Sequence, residues 1–328
     1  MFAFFLRRLL GMLLVFWAVV TLTYLLVWVA PGDPFVREKD LSETTKEQLK
    51  AQYKIDGTIG KLWDQYKESG KLKDLGAWTV ASAKDYGRYV RDLAHGDLRI
   101  SLKFKGRSVN QLLADGLPVS ATLGLTALLL ATVGGIWLGT VAAVRQHSFT
   151  DAGAMLAALA LISVPTFVVG PLLALIFAIR LGWLPVGGWT SWTSLILPAI
   201  TLSGPYTAYI ARLMRSSLLE VLSQDFIRTA RAKGLDESGT VYRHALKVAI
   251  LPVVSFLGPL TANLLTGSLV VETIFNIPGA GPYFVQAILN SDRYLLMGVT
   301  IVYCGLLIVL NFLTDLTYTW LDRRIRFE

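Results

Sequence analysis

A single cysteine, Cys304, sits in an apolar stretch near the end of the chain, so neither an intrachain disulfide nor a cysteine-based metal cluster can form. Histidine is almost as scarce. His95, His147 and His244 lie far apart, in loops or at the margins of apolar runs, where isolated histidines are surface residues rather than ligands. There is no Gly-x-x-x-x-Gly-Lys-Ser/Thr loop, which excludes ATP binding through a P-loop on this chain. A Gly-x-Ser-x-Gly elbow and a His-Glu-x-x-His helix are also missing, so catalysis is not expected. Charged residues are only 16% of the 328, with 31 Lys+Arg against 23 Asp+Glu. The net charge of +8 is scattered beside apolar runs rather than gathered into a patch, which argues against a nucleic-acid partner.

What the chain has is long apolar sequence, 54% hydrophobic by composition. Six runs are long enough to cross a bilayer: roughly Leu9–Ala30, Val119–Val144, Ala152–Ile179, Ser194–Leu218, Val248–Phe275 and Leu295–Leu321. Backbone groups in lipid must be bonded internally, so an all-α integral membrane protein with six transmembrane helices is expected. Arg7 and Arg8 precede the first run. Arg145 lies in the second-to-third connection, and Arg212, Arg215, Arg228, Arg231, Lys233, Arg243 and Lys247 surround the fourth-to-fifth. Arg323, Arg324 and Arg326 follow the last run. Threading six spans puts these four basic regions on one side, with both termini cytosolic in a multi-pass cytoplasmic (inner) membrane protein. The opening run is too long for a secretory leader, and Pro31 follows Ala30 directly, so the first span is expected to be retained.

Three regions follow: residues 1–30 as tail and first helix, 31–118 as a partly helical extracytoplasmic segment, and 119–328 as a five-helix core. That core includes a cytosolic loop at 219–247. In the outer segment, Glu43–Tyr53 and Ala83–Ala94 read as short helices punctuated by Gly57, Gly60, Gly70, Gly76, Gly96 and Gly106. The segment is small for a core of its own and is expected to pack on the spans. Trp183, Trp189 and Trp192 suit an interfacial aromatic belt, whereas Trp17 and Trp137 fall mid-span as packing residues. Gly135-x-x-x-Gly139 is a small-residue pattern for close helix approach, with its partner helix left open. Among ionisable residues within spans, Asp315 and Glu272 are candidates for a proton relay, but two carboxylates support one only thinly and Asp315 is expected to pair within the helix bundle; Arg212 and Arg215 can snorkel.

The most informative segment is Asp225-Phe226-Ile227-Arg228-Thr229-Ala230-Arg231-Ala232-Lys233-Gly234-Leu235. Ala230 and Ala232 favour helix, Arg231 and Lys233 suit its C-terminal end, and Gly234 can close it in the left-handed conformation with Leu235 packing back on Ala230. Asp236 is placed to cap a second helix, with Glu237 in its first turn. A helix, a glycine stop and a second helix with small residues and cations form a surface for a partner outside the membrane.

These residues, with Arg243-His244-Ala245-Leu246 and Leu251-Pro252, resemble the peptide-transporter version of the EAA loop of permease subunits in binding-protein-dependent ABC importers. Further segments agree in order: Leu6-Arg7-Arg8-Leu9-Leu10, Ala30-Pro31-Gly32-Asp33-Pro34, Leu93-Ala94-His95-Gly96-Asp97-Leu98, Leu117-Pro118-Val119-Ser120-Ala121-Thr122 and Leu181-Gly182-Trp183-Leu184-Pro185. Val271-Glu272-Thr273-Ile274-Phe275 and Pro278-Gly279-Ala280-Gly281 complete the series. The chain is similar, over nearly its whole length, to the oligopeptide/dipeptide/nickel branch, and within it to the first permease of the oligopeptide system. It departs from the general EAA pattern, with Arg228 where the glutamate falls, Thr229 at the first alanine, and a later Leu-Pro pair.

The resemblance implies a transport subunit, not an enzyme, that forms half of a path for oligopeptides. Its partners would be a second homologous permease, two cytosolic ABC ATPases, an extracytoplasmic peptide-binding protein, the peptide and membrane lipid. No cofactor is implied on this chain; ATP and Mg would sit on the ATPases. The residues Arg228, Thr229, Ala230, Arg231, Ala232, Lys233, Gly234 and Leu235 would form the ATPase-coupling helix. Glu272, Pro278, Gly279 and Gly281 would serve an outer gate or docking element, or be a structural turn. Asn263, Thr266, Ser268, Asn311 and Asp315 could line the path or join helices. Dipeptides, nickel chelates or another small solute are alternative cargoes. A secondary transporter or channel would instead show intramembrane charge pairs and broken half-helices, neither of which the sequence displays, and a scaffold would not bring ATPases with it.

Overall fold

The computed structural model describes residues 2–29, 57–104, 106–266 and 268–321, and among them the chain is helical with only an isolated Ile100–Ser108 bridge. Helix α1 covers Phe2–Val29; α2 (Gly57–Ser69) and α3 (Leu72–Ala94) form a hairpin. Then come α4 (Val109–Val144), α5 (Phe149–Ser163), α6 (Thr166–Arg180, its second half π-helical) and α7 (Ile196–Leu222). The chain continues through α8 (Asp225–Ala232), α9 (Glu237–Ala249), α10 (Leu251–Thr266) and α11 (Leu269–Ile274). It ends with α12 (Ala280–Leu289) and α13 (Arg293–Leu321). The motif Ala30–Pro34, the expected helix Glu43–Tyr53 and the basic residues Arg323, Arg324 and Arg326 lie outside the described residues.

Among the described residues, three helices are unbroken, long and apolar enough to cross a membrane: Leu6–Val27, Val109–Val144 and Arg293–Leu316. Two bent helix pairs pass the same test together, giving up to five if each pair is one span. The expected single run Ala152–Ile179 is broken by 106° between α5 and α6. Pro165 disfavours α geometry in the residue before it, and Val164 accordingly lies at φ −89°, ψ 121°. The run Val248–Phe275 bends by 47° between α9 and α10, where Pro252 lacks the N–H that would continue the helix, and it stops again before Ser268. These breaks correct the expectation of uninterrupted spans. Pro118 does the opposite: α4 starts at Val109 and runs through it, well before Val119.

The chain folds into two compact units. One holds residues 10–29, 57–104, 106–115 and 283–304. In it α3 packs on α1: Tyr24 donates to Asp85 (2.8 Å), Thr21 bonds Tyr86 (2.6 Å), and Tyr24 stacks on Tyr89. Arg99, at φ 67°, is buried between the rings of Tyr89 and Tyr294 and bonds Asp92 at 3.1 Å. Burial among these groups pushes the Tyr89 phenol well above its ordinary pKa. Ser101 donates to the buried Asp292 at 2.6 Å, fixing the 97–104 loop. Gly70, Gly96 and Gly106 take left-handed turns as glycine punctuation predicts, but Gly60 and Gly76 lie inside helices.

The second unit, residues 2–9, 116–266, 268–282 and 305–321, is built around α7. Its Leu197, Ile210, Ala211, Met214 and Leu218 are fully buried, with α5, α6, α10 and α11 packed against it. The helix that Gly135-x-x-x-Gly139 serves is α7. A Cβ on Gly139 would strike the Ala211 carbonyl oxygen and lie 2.8 Å from the Met214 side chain, and one on Gly135 would lie 2.6 Å from Ile210. Trp17 and Trp137, expected as packing residues, are instead exposed on this chain. Asp315 is paired, as expected, and its partner is Arg8 near the start of α1.

Gly139→Leu should therefore separate α4 from α7 and destabilise the protein by about 1–3 kcal/mol or more, while Gly153→Ala, inside α5 and meeting nothing within 4 Å, should not destabilise and should add up to about 1 kcal/mol from helix propensity. Thermal unfolding of the purified protein in detergent checks this; equal midpoints for Gly139→Leu and wild type would refute the helix contact.

Candidate coupling loop and outer turn

The loop leaves α7 at Ser223 and Gln224 and re-enters helix at Asp225. Within α8, Ile227 is fully buried and Ala230 nearly so, against a core that includes Leu218, Val221, Val241 and Ala245. Burying an isoleucine side chain contributes about 1.5–3 kcal/mol, so this helix is bound to the ends of α7 and α9. The C-terminus closes as the glycine spacing predicts. Gly234 lies at φ 85°, its N–H bonds the Arg231 carbonyl at 2.9 Å, and the Leu235 N–H reaches the Ala230 carbonyl at 3.4 Å. Asp236 caps the next helix by accepting the Gly239 N–H at 3.2 Å.

Two details differ from a knuckle of small residues and free cations. Ala230 faces the core, leaving Thr229, Ala232, Lys233 and Gly234 exposed, with Phe226 beside them. Arg231 is held by Glu237 through two bonds, 3.1 and 2.7 Å, which raise its pKa and tie α8 to α9. Arg228, loosely paired with Asp225 at 3.6 Å, and Lys233 remain as outward cations. Nearby, Arg215 of α7 does not snorkel: it grips Asp151 of α5 with two bonds of 2.6 and 2.7 Å. Asp151 also accepts the His147 N–H, and its own N–H is capped by Ser148. Ser148 three residues before Asp151 is a capping pattern; the distant arginine had no sequence signal.

At the other site, α11 ends in a turn that needs its glycines for space. Glu272 is fully buried; its carboxyl accepts the Gly281 N–H (2.9 Å) and the Ser268 hydroxyl. Ser120 of α4 accepts the Ala280 N–H at 2.9 Å. A Cβ on Gly279 would strike the Glu272 carboxyl, and one on Gly281 would lie 2.7 Å from the Leu269 Cα. A Cβ on Gly116 would meet the same turn at 2.8 Å, and one on Gly187 would strike the Phe275 carbonyl oxygen. Pro278, Gly279 and Gly281 thus gather around Glu272, while Ser120 and Ser268 complete a clamp that sequence reasoning did not assemble. Of the other proposed path residues, Asn263 is exposed, Asn311 half-buried, Asp315 paired with Arg8, and the Thr266 side chain lies outside the described residues.

Residues 135–327 match the family of binding-protein-dependent transport system inner membrane components. The chain belongs to this family. This permease is 39% identical over its full length to the oligopeptide transport system permease protein OppB of Haemophilus influenzae, and 40% identical to that of Escherichia coli, each covered completely. It is also 40% identical over 318 residues to the dipeptide transport system permease protein DppB of Bacillus subtilis, covering 95% of this chain and 96% of the relative. Solved structures agree on the fold. Inward-facing MetNI methionine ABC transporter chains superpose on 65% of this permease and 97% of their own length, at TM-scores of 0.54 and 0.56. Their identity is 18% and 17%. Family membership makes the chain a transport component and not an enzyme.

Glu272→Ala would strand the Gly281 N–H and the Ser268 hydroxyl, at about 1–3 kcal/mol for each buried group left unpaired. Its unfolding midpoint should fall clearly below that of Glu272→Gln, which keeps an acceptor in place. Identical midpoints for the two variants would remove Glu272 as the clamp.

Proposed function

We propose that this permease forms one half of the transmembrane path of an ATP-driven importer of oligopeptides. The full-length identity to oligopeptide permeases supports this reading more than any local feature. In it, a second, homologous permease completes the path, and two cytosolic ATPases hold ATP and Mg. An extracytoplasmic binding protein delivers peptide to the outer face. Six crossings, with α7 as the fourth and both termini cytosolic, follow from the placement of the basic regions. The dipeptide relative, equally identical, supports a second cargo reading, and the test must separate the two.

The loop 219–247 contains the contact with an ATPase. Thr229, Ala232 and Gly234 permit close backbone approach, and Arg228 and Lys233 can meet acidic groups around a cleft. Ile227 and the Arg231–Glu237 pair pass a push on α8 to α7 and α9. ATP binding would then shift the population between inward- and outward-open states, provided it favours one of them. The Glu272 clamp, with Pro278, Gly279 and Gly281, holds the outer turn against which the path opens or the binding protein sits.

ATP-dependent uptake of a labelled four- or five-residue peptide should be lost on deleting the gene and restored by the intact gene. Selective loss of dipeptide uptake would move the cargo to the second reading. Gly234→Asn, which tolerates a positive φ, should transport normally, whereas Gly234→Arg should insert normally yet uncouple ATP hydrolysis from uptake. Normal uptake by Gly234→Arg at normal protein level would sink the coupling assignment.

A further inference from the structure

Helix α7 packs against α5, α6, α9, α10 and α11, and what it leaves uncovered in its second half is a single polar stripe. Of residues 197–204 only Ile200 is exposed. Of residues 205–222, Tyr209, Arg212, Ser216 and Glu220 are exposed, three and four residues apart and therefore on one face. Tyr209 lies against Phe256 of α10, with ring centroids 4.3 Å apart. Asn263, seven residues after Phe256 and so on the same face of α10, is exposed as well. The two helices thus border one seam, with an aromatic pair in it. Arg212 stands one turn beyond Tyr209, and Asn263 two turns beyond Phe256.

Arg212 has no counterion in this chain. Among the described residues no carboxylate lies within ion-pair distance of it, whereas Arg215, three residues on, is gripped by Asp151. With α7 as the fourth crossing, its 27 residues span about 40 Å against a hydrocarbon core of about 30 Å. Arg212 is about 15 Å from the C-terminal end of the helix, which puts it inside that core. A cation exposed to lipid there is costly, and such residues face a water-filled path instead. In keeping with a face turned to water, α7 is not among the helices apolar enough to pass as spans.

We propose that the seam between α7 and α10 lines the path and that Arg212 receives the C-terminal carboxylate of the passing peptide. This rests on the peptide-importer reading above. Every linear peptide with a free C-terminus carries that carboxylate whatever its sequence, so one fixed cation serves cargo of varied composition. The guanidinium fork matches a carboxylate through two parallel bonds. Tyr209 and Phe256 give the chain behind the carboxylate an aromatic surface. Glu220, two residues before the end of α7 and on the same stripe, opposes a lipid phosphate at the membrane boundary.

The test uses the complete importer in vesicles of phosphatidylcholine with graded phosphatidylglycerol, its binding protein in excess. ATP-dependent uptake of a labelled pentapeptide is compared with that of the same peptide ending in an amide. Any preference added by the binding protein is common to wild type and variant and cancels in the comparison. Wild type should favour the free acid, and Arg212→Gln should cut that preference about tenfold, the lower end for a hydrogen bond to a charged group. Arg212→Lys, which keeps the charge, should retain most of it, whereas a purely structural role would slow acid and amide alike. An acid-to-amide ratio unchanged in Arg212→Gln overturns the inference and leaves peptide import standing; a wild type that carries neither peptide overturns both. Loss of the second permease from purified Arg212→Gln also overturns it, giving Arg212 to the partner subunit. So does a defect that follows phosphatidylglycerol content and not the peptide's end, which gives it to lipid. A measurement on the wild type needs no substitution: a pentapeptide with a photoreactive last residue should label residues 205–216 or 252–263 during turnover, and labelling confined to other segments overturns the assignment.

Discussion

The approach of α7 to α4 is the constraint on which the larger unit rests. In lipid there is little hydrophobic gain in bringing two helices together, so association depends on packing at short range. Gly135 and Gly139 remove the side chains that would hold the helices apart, and Thr207, Ile210, Ala211 and Met214 fill the space. With α7 seated, its remaining faces receive α5, α6, α10 and α11. Its buried Thr201 and Ser203 are satisfied within the helix, donating to the carbonyls of Leu197 and Ile200. A helix so enclosed does not need an uninterrupted apolar surface, and this explains how α7 carries Thr201, Ser203, Thr207, Arg212 and Arg215 yet remains central.

From α7 the consequences run in two directions. At its C-terminal end the chain passes through a short connection into α8, whose Ile227 returns to the same core as Leu218 and Val221. The Arg215–Asp151 pair fixes the start of α5 to that end, so the loop 219–247 is set on three helices rather than hanging from one. Asp151 is almost fully buried, and such a pair is worth having only with both partners in place. At the far end, the bend after Pro165 brings α6 against α7 and α11, with Gly170 beside Phe275 and Thr201. The clamp of Glu272 on the glycine turn is built there. Broken helices are thus part of how the unit packs.

The smaller unit obeys another logic. Its hairpin is held by aromatic and charged groups: Tyr24, Asp85, Tyr89, Arg99, Tyr294 and Asp292. Satisfying the charges inside leaves exposed cations outside, and that division gives α3 two unlike faces.

Apolar length, the placement of Arg and Lys, and turn residues were enough to establish an all-helical membrane chain, the helix stop at Gly234, the cap at Asp236 and the family, because these are local properties of the sequence. The shared motifs also marked Glu272 and Pro278–Gly281 as one neighbourhood. Tertiary structure alone decided which helix Gly135 and Gly139 approach, that Ala230 turns inward while Arg231 is tied to Glu237, and that Ser120 joins Glu272. The partners that Arg215 and Asp315 take, Asp151 and Arg8, were likewise not legible in the sequence. A helical period tells which residues share a face, but not which distant face they meet. That is fixed by close packing and by the requirement that each buried charge find its partner.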